Sequence, residues 1–176
     1  MPKILPNIKE TILKNADARL KAEGYEGLKM RALAKDCNIA VGTLYNYFDG
    51  VDSIIAEITM ADWRKMLSDM ERAATGCEDL TTGMRELCKC LQGFAEKYRP
   101  VWNQYSNKST AGSYIGKYHG FIRAQLAERI ELVLETCKKE SMKPLSAVLA
   151  ETVLACLVHE DMGFEQIELL VSHLAP

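Results

Sequence analysis

Proline and glycine are scarce in this sequence, five and eleven of 176 residues, and neither clusters. That excludes a long low-complexity linker. No stretch alternates polar and apolar residues in the manner of a strand. No apolar run reaches membrane-spanning length, since the most apolar late window, Ala147 to Val158, is interrupted by Glu151 and is too short. The opening MPKILPNIKE lacks the apolar segment of a secretory leader, so no membrane partner and a cytoplasmic location are expected. The histidines number only three, and His119, His159 and His173 stand too far apart to suggest a ligand set. Six cysteines are scattered at positions 37, 77, 88, 90, 137 and 156. On a helix Cys88 and Cys90 point in different directions, a poor start for a shared metal. The thiols read as reduced, mostly buried small hydrophobes. Neither a metal nor a cofactor is expected. No acid, base and nucleophile converge in the pattern, so an enzyme is not expected either.

Charge is present in both signs, with a modest asymmetry beneath the net −2. Residues 1–50 carry eight Lys/Arg against six Asp/Glu, and the remainder fourteen against eighteen. A basic head on an acidic body suits nucleic-acid contact at one end. Helical periodicity runs through the whole chain. Ile8, Ile12, Ala16 and Leu20 recur at intervals of four, predicting a first helix that stops at Gly24. A short helix follows from Met30 to Cys37, a break at Asn38-Ile39-Ala40, and a third helix from Val41 to Tyr47. Asn38 tolerates the left-handed backbone of a tight turn, and Ile39 can plug the angle between the helices. Asp49 or Asp52 can cap the next helix. Longer helices are expected over Asp52–Ala74, Leu80–Arg99 (stopping before Pro100), Tyr114–Glu140, Leu145–His159 and Phe164–Leu174. The architecture predicted is all-α: a three-helix head over residues 1–50 and a helical body over 51–176.

Two short helices joined by a tight turn are suited to the major groove of DNA. In the second of them Gly42 permits close approach, and Thr43, Tyr45, Asn46 and Tyr47 offer hydroxyl and amide groups. Leu44 and Phe48, four apart, can anchor the inner side. The stretch GYEGLKMRALAKDCNIAVGTLYNYF, residues 24–48, resembles the TetR family of transcriptional regulators, from Ile8 to about Ile58. The resemblance implies a homodimer on a near-palindromic duplex operator, most often as a repressor, released by a small-molecule inducer bound in the body. Position by position, it implies that Arg31 reads guanine, that Val41, Gly42, Thr43, Tyr45 and Asn46 meet bases or backbone, and that Tyr47 meets a phosphate. Three positions depart from the family's habit: Lys29-Met30 in place of a hydroxyl residue, Ala40 in place of serine, and Val51 in place of lysine. Lys29 could itself reach a phosphate, and Lys3, Lys9, Lys14 and Lys35 could add others.

In the body, Met60, Trp63, Phe94 and Tyr98 are candidate pocket residues by composition. Trp102, Tyr105, Tyr118 and Phe121 join them, although aromatics at helical spacing more often form core. The last two helices are apolar on more than one side. Leu145, Val148, Leu149, Val153, Cys156 and Leu157 on one, with Ile167, Leu170, Val171 and Leu174 on the other, are the expected dimer interface. The helix over Asp52–Ala74 would be the lever between ligand and DNA. Two other readings stand beside this one: a small-molecule binding or adaptor protein on the same scaffold with weakened or lost operator affinity, and a helical enzyme.

Overall fold

Ile8, Ile12, Ala16 and Leu20 are all buried, so the four-residue spacing does define the inner face of the first helix. The computed structural model of the protein describes residues 7–106, 112–158 and 163–174. Helix α1 spans Ile8–Gly27 and bends at Gly24, whose φ of 68° lies in the left-handed region. Glycine enters that region without the steric cost of a Cβ. Helix α2, Met30–Asp36, and helix α3, Val41–Tyr45, complete the head. Helix α4 runs Val51–Gly76, α5 Leu80–Ser106 and α6 Gly112–Thr136. A 3₁₀ turn, Glu140–Leu145, leads into α7, Ser146–Val158, and α8 is Phe164–Leu174. No strand occurs among the described residues.

The chain divides into two compact units. One takes residues up to Trp63 together with Lys97–Gln104, and the other takes Arg64–Glu96 and the chain from Tyr105 onward. The first is wider than a fifty-residue head, and both α4 and α5 contribute residues to each unit. In the first, α1 packs on α2 and α2 on α3. In the second, α6 packs on α7 and α7 on α8, around Leu126, Ile130, Val133, Leu134, Leu149, Val153, Ile167 and Val171.

The turn between α2 and α3 is a complete helix stop. Asn38 sits at φ 53°; its N–H donates to the Lys35 carbonyl at 3.0 Å, and the Ile39 N–H to Ala34 at 3.0 Å. This pair of bonds is the Schellman arrangement, with Asn38 in the left-handed position. The end of α6 repeats it. Lys138 adopts φ 57°, and Lys139 N–H reaches the Leu134 carbonyl at 2.8 Å. Helix α6 therefore ends at Thr136 rather than running to Glu140.

One further expectation is corrected. Helix α5 does not stop before Pro100 but continues through it to Ser106. A proline there removes one helical hydrogen bond, to the carbonyl four residues back. Glu96 and Pro100 are both exposed, so the missing bond lies on the solvated side. Tyr98 and Val101, buried on either side of the proline, hold the helix. At the start of α4, Ser53 closes on Gly50. Ser53 Oγ accepts from Gly50 N–H at 3.3 Å and donates to the Gly50 carbonyl at 2.8 Å, while Asp52 accepts from the Tyr25 hydroxyl at 2.8 Å.

The left-handed turn makes Asn38 a test of the head's construction. Asn38→Gly should leave the urea midpoint nearly unchanged, whereas Asn38→Val should cost about 1–2 kcal/mol through its Cβ branch. Equal stability of the two variants in equilibrium denaturation would refute the role given to this residue.

Candidate nucleic-acid interface

Helix α3 is five residues long, and it is divided cleanly by depth. Leu44 is fully buried and Phe48, just beyond the helix, nearly so. Tyr45 and Tyr47 are 53% and 40% exposed, and Gly42 and Asn46 are also exposed. Val41 and Thr43 are half-buried along the edge. The polar side chains of Thr43, Tyr45, Asn46 and Tyr47 make no hydrogen bond to any other described residue. A methyl on Gly42 would meet nothing within 4 Å, so no packing demand explains the glycine. Lys29 and Arg31, at the start of α2, are likewise exposed and form no ion pair among the described residues. All eight residues expected at this interface therefore lie at least partly open to solvent.

No side chain caps α2 or α3. Lys29 and Ala40 hold extended backbone at the cap positions with no side-chain hydrogen bond. The Ala40 carbonyl does accept from Thr43 N–H at 2.9 Å and Leu44 N–H at 3.3 Å. What fixes the two helices is tertiary. Arg19 of α1 donates through Nε to Asp36 of α2 at 2.8 Å and through Nη1 to Glu23 at 2.8 Å. Lys9 pairs with Glu57 of α4 at 2.7 Å and lies 5.7 Å from the centre of the Phe48 ring.

The first unit also holds a charged cluster. Lys97 of α5 donates to Asp17 of α1 at 2.6 Å and also to Asp62 of α4, and Tyr98 donates its hydroxyl to Asp62 at 2.7 Å. Burial pushes the Tyr98 hydroxyl upward and Asp62 pushes it further, so it remains a donor. Burial also raises the Asp17 carboxyl, but hydrogen bonds from Lys21 and Lys97 outweigh it and hold the group below its ordinary value. These long-range pairs were invisible to local sequence pattern.

The candidate pocket residues that the structure describes differ in depth. Met60 and Phe121 are exposed, at 46% and 56%, and Trp63 and Phe94 are half-buried. Tyr98 is committed to the cluster with Asp62. The side chains of Trp102, Tyr105 and Tyr118 lie outside the described residues. A crevice lined by Cys88, Gln92, Val153, Cys156, Leu157, Phe164 and Ile167 has a volume of about 10 Å³, room for roughly one water molecule. Of the dimer candidates, Leu149, Val153, Ile167 and Val171 are buried within their own chain. Cys156 and Leu157 are half-buried. Leu145, Val148, Leu170 and Leu174 are exposed, and Leu169, which the sequence pattern did not single out, is the most exposed of the set at 61%.

Residues 12–58 match the family model described as bacterial regulatory proteins, tetR family. No curated protein matches the chain significantly. Among solved structures, a TetR-family transcriptional regulator from Streptomyces coelicolor is 14% identical, with a TM-score of 0.59 over 94% of this chain and 96% of its own. A TetR-like transcriptional regulator from Rhodococcus is 18% identical, with a TM-score of 0.51 over 99% and 96%. At such identities the likeness is one of fold. The chain has an all-helical, TetR-like fold with an N-terminal helix-turn-helix. Among the described residues, no helix is long and apolar enough to cross a membrane.

The Asp17 cluster generates a pH dependence. A carboxyl held low in the folded protein contributes stability that is full above its unfolded value, about 3.9, and is lost as pH falls through the folded one. Asp17→Asn should therefore be less stable than the parent at pH 7, and the gap should close on acidification below pH ~4. Urea melts of both proteins across that range will check it; a gap independent of pH would rule the ion pairs out as its source.

Proposed function

We propose that this TetR-like chain is a DNA-binding transcriptional regulator, acting as a repressor. In this reading a homodimer occupies a near-palindromic operator and is released when a small molecule binds the helical body. The observation that carries the reading is the outward polar face of α3, with Leu44 and Phe48 holding the opposite side in the core. A short helix presented in this way can lay its backbone at Gly42 close to the groove floor. Asn46 can then pair bidentately with an adenine edge, and Arg31 with guanine. Tyr47 and Lys29 are placed on phosphates, which position the head without reading sequence.

Dimerisation is part of the proposal because two half-sites about 34–36 Å apart need two heads. The exposed leucines and valine of the 3₁₀ turn, α7 and α8 support it: Leu145, Val148, Leu169, Leu170 and Leu174 leave an apolar face uncovered. Leu149, Val153, Ile167 and Val171 serve the same helices from within. For release, α4 is the natural carrier, since it contributes residues to both compact units. A ligand can shift the equilibrium only by its preference for the released state, and operator must weaken ligand by the same factor.

One observation favours the adaptor reading. Lys9, a candidate phosphate partner, is already held by Glu57, and non-specific affinity falls with every phosphate left unneutralised. Salt-titrated mobility shifts separate the two readings, because an adaptor would bind neither selected nor random duplex.

Selection of bound duplex from a random pool should return a palindrome. Asn46→Ala should then cost about 1–3 kcal/mol at one base position while leaving random-sequence binding unchanged. Gly42→Leu should separate fold from function. Stability should rise by about 0.5–1 kcal/mol from the better helix former, while operator affinity falls on the order of tenfold or more, as steric exclusion from the groove requires. Full affinity in Gly42→Leu would mean that α3 does not enter the groove. Val148→Glu should convert a dimer at micromolar concentration into a folded monomer by sedimentation; an unaltered mass would place the interface elsewhere.

A further inference from the structure

Cys77 and Cys137 stand sixty positions apart in sequence, yet their sulfurs are 3.6 Å from each other. Each is fixed by its surroundings. Cys77 follows α4 directly, and its thiol donates to the Ala74 carbonyl at 3.1 Å. Cys137 follows α6, and its N–H donates to the Val133 carbonyl at 2.9 Å. Between them Gly83 of α5 is buried. A methyl at that position would lie 2.5 Å from Val133 Cγ1 and 3.0 Å from Cys77 Sγ. The missing side chain is therefore what lets α5 close on α6 with Cys77 between. Cys77 also lines an open groove with Arg72, Gly76, Glu78, Thr82 and Glu86, and the residue is partly exposed.

We propose that Cys77 and Cys137 form a dithiol modification site that hydroperoxides oxidise to an intramolecular disulfide. The Cys77 thiolate attacks the peroxide, breaking the O–O bond; Cys77 becomes a sulfenic acid and the leaving alkoxide or hydroxide takes up a proton. Cys137 then attacks that sulfur, the S–S bond forms, and the sulfenic oxygen leaves as water with the Cys137 proton. In sum, two thiols and one hydroperoxide give a disulfide, an alcohol (or water) and a further water. Burial, with the adjoining Cys77, pushes the Cys137 thiol up to about 11. It therefore stays protonated and serves as the resolving partner, while Cys77 meets the oxidant. The bridge would tie the α4–α5 connection to the end of α6 within the second unit. The site is independent of the DNA-binding reading.

The test uses the full chain, folded at neutral pH, treated with hydrogen peroxide, alkylated, and mapped without reduction. The intact protein should lose the mass of two hydrogen atoms, and one bridged peptide pair should join Cys77 to Cys137. Dithiothreitol should reverse the change. Cys137→Ser should instead accumulate a dimedone-reactive sulfenic acid at Cys77, and Cys77→Ser should form no bridge. The parent's peptide map carries the test alone should a serine variant fail to fold. The proposal is overturned by three results: no bridge in the folded parent, a bridge joining another pair such as Cys88 and Cys156, or oxygen addition at Cys77 in the parent without a link to Cys137.

Discussion

A helix of five residues has no stability of its own. Nucleating the first turn fixes several dihedral angles for a single hydrogen bond, and isolated helices shorter than about 12–15 residues are marginal in water. Helix α3 therefore exists because Leu44 is buried completely and Phe48 nearly so, with the Asn38 turn setting the angle at which it leaves α2. Burial of two large side chains contributes roughly 1.5–3 kcal/mol each toward offsetting the entropy of ordering it. The same anchoring fixes which side chains point outward. With Leu44 inside, Tyr45, Asn46 and Tyr47 have no described partner to turn toward, and the polar face follows from the apolar one.

Charge in the head is arranged by a similar division. Half of its carboxylates are occupied internally, Asp17 by Lys21 and Lys97, and Glu23 and Asp36 by Arg19, while Glu57 of α4 holds Lys9. Lys14, Lys29, Arg31 and Lys35 are exposed and form no ion pair among the described residues. Glu10, Glu26 and Asp49 are exposed and unpaired among them as well, so the surplus of free positive charge is slight. Counterion release scales with the number of phosphates neutralised. A head this nearly balanced would draw little from that source.

Much of this was legible locally. The four-residue spacing in α1, the asparagine turn, the split of α3 into Leu44 against its polar neighbours, and the bounds of α8 all follow from patterns within a few residues. What the sequence concealed lies between distant positions. Lys97 meets Asp17 across eighty residues and Tyr25 meets Asp52 across twenty-seven; no periodicity encodes such pairs. Pro100 misled for a related reason. The local rule against proline in a helix holds for the single bond it removes, but Tyr98 and Val101, buried beside it, decide the outcome. Lys138 was equally opaque, since nothing in its chemistry announces a left-handed backbone. The aromatic candidates for a pocket rest on composition, which says which residues could line a cavity and nothing about where they converge.

The absent caps connect stability to function. Lys29 and Ala40 leave the first N–H groups of α2 and α3 without side-chain acceptors, and a good cap is worth ~1 kcal/mol at each position. At the surface such N–H groups are left to solvent. The head thus forgoes stability at the surface it would present to DNA and recovers it elsewhere in the first unit. There Arg19 ties α1 to α2, and Lys97 ties α1 to α4. These pairs also hold Asp17, Glu23, Asp36 and Asp62, four carboxylates that would otherwise be free to repel a phosphate backbone. Order in the head and a surface tolerant of phosphate therefore draw on one set of ion pairs, and loosening either would loosen the other.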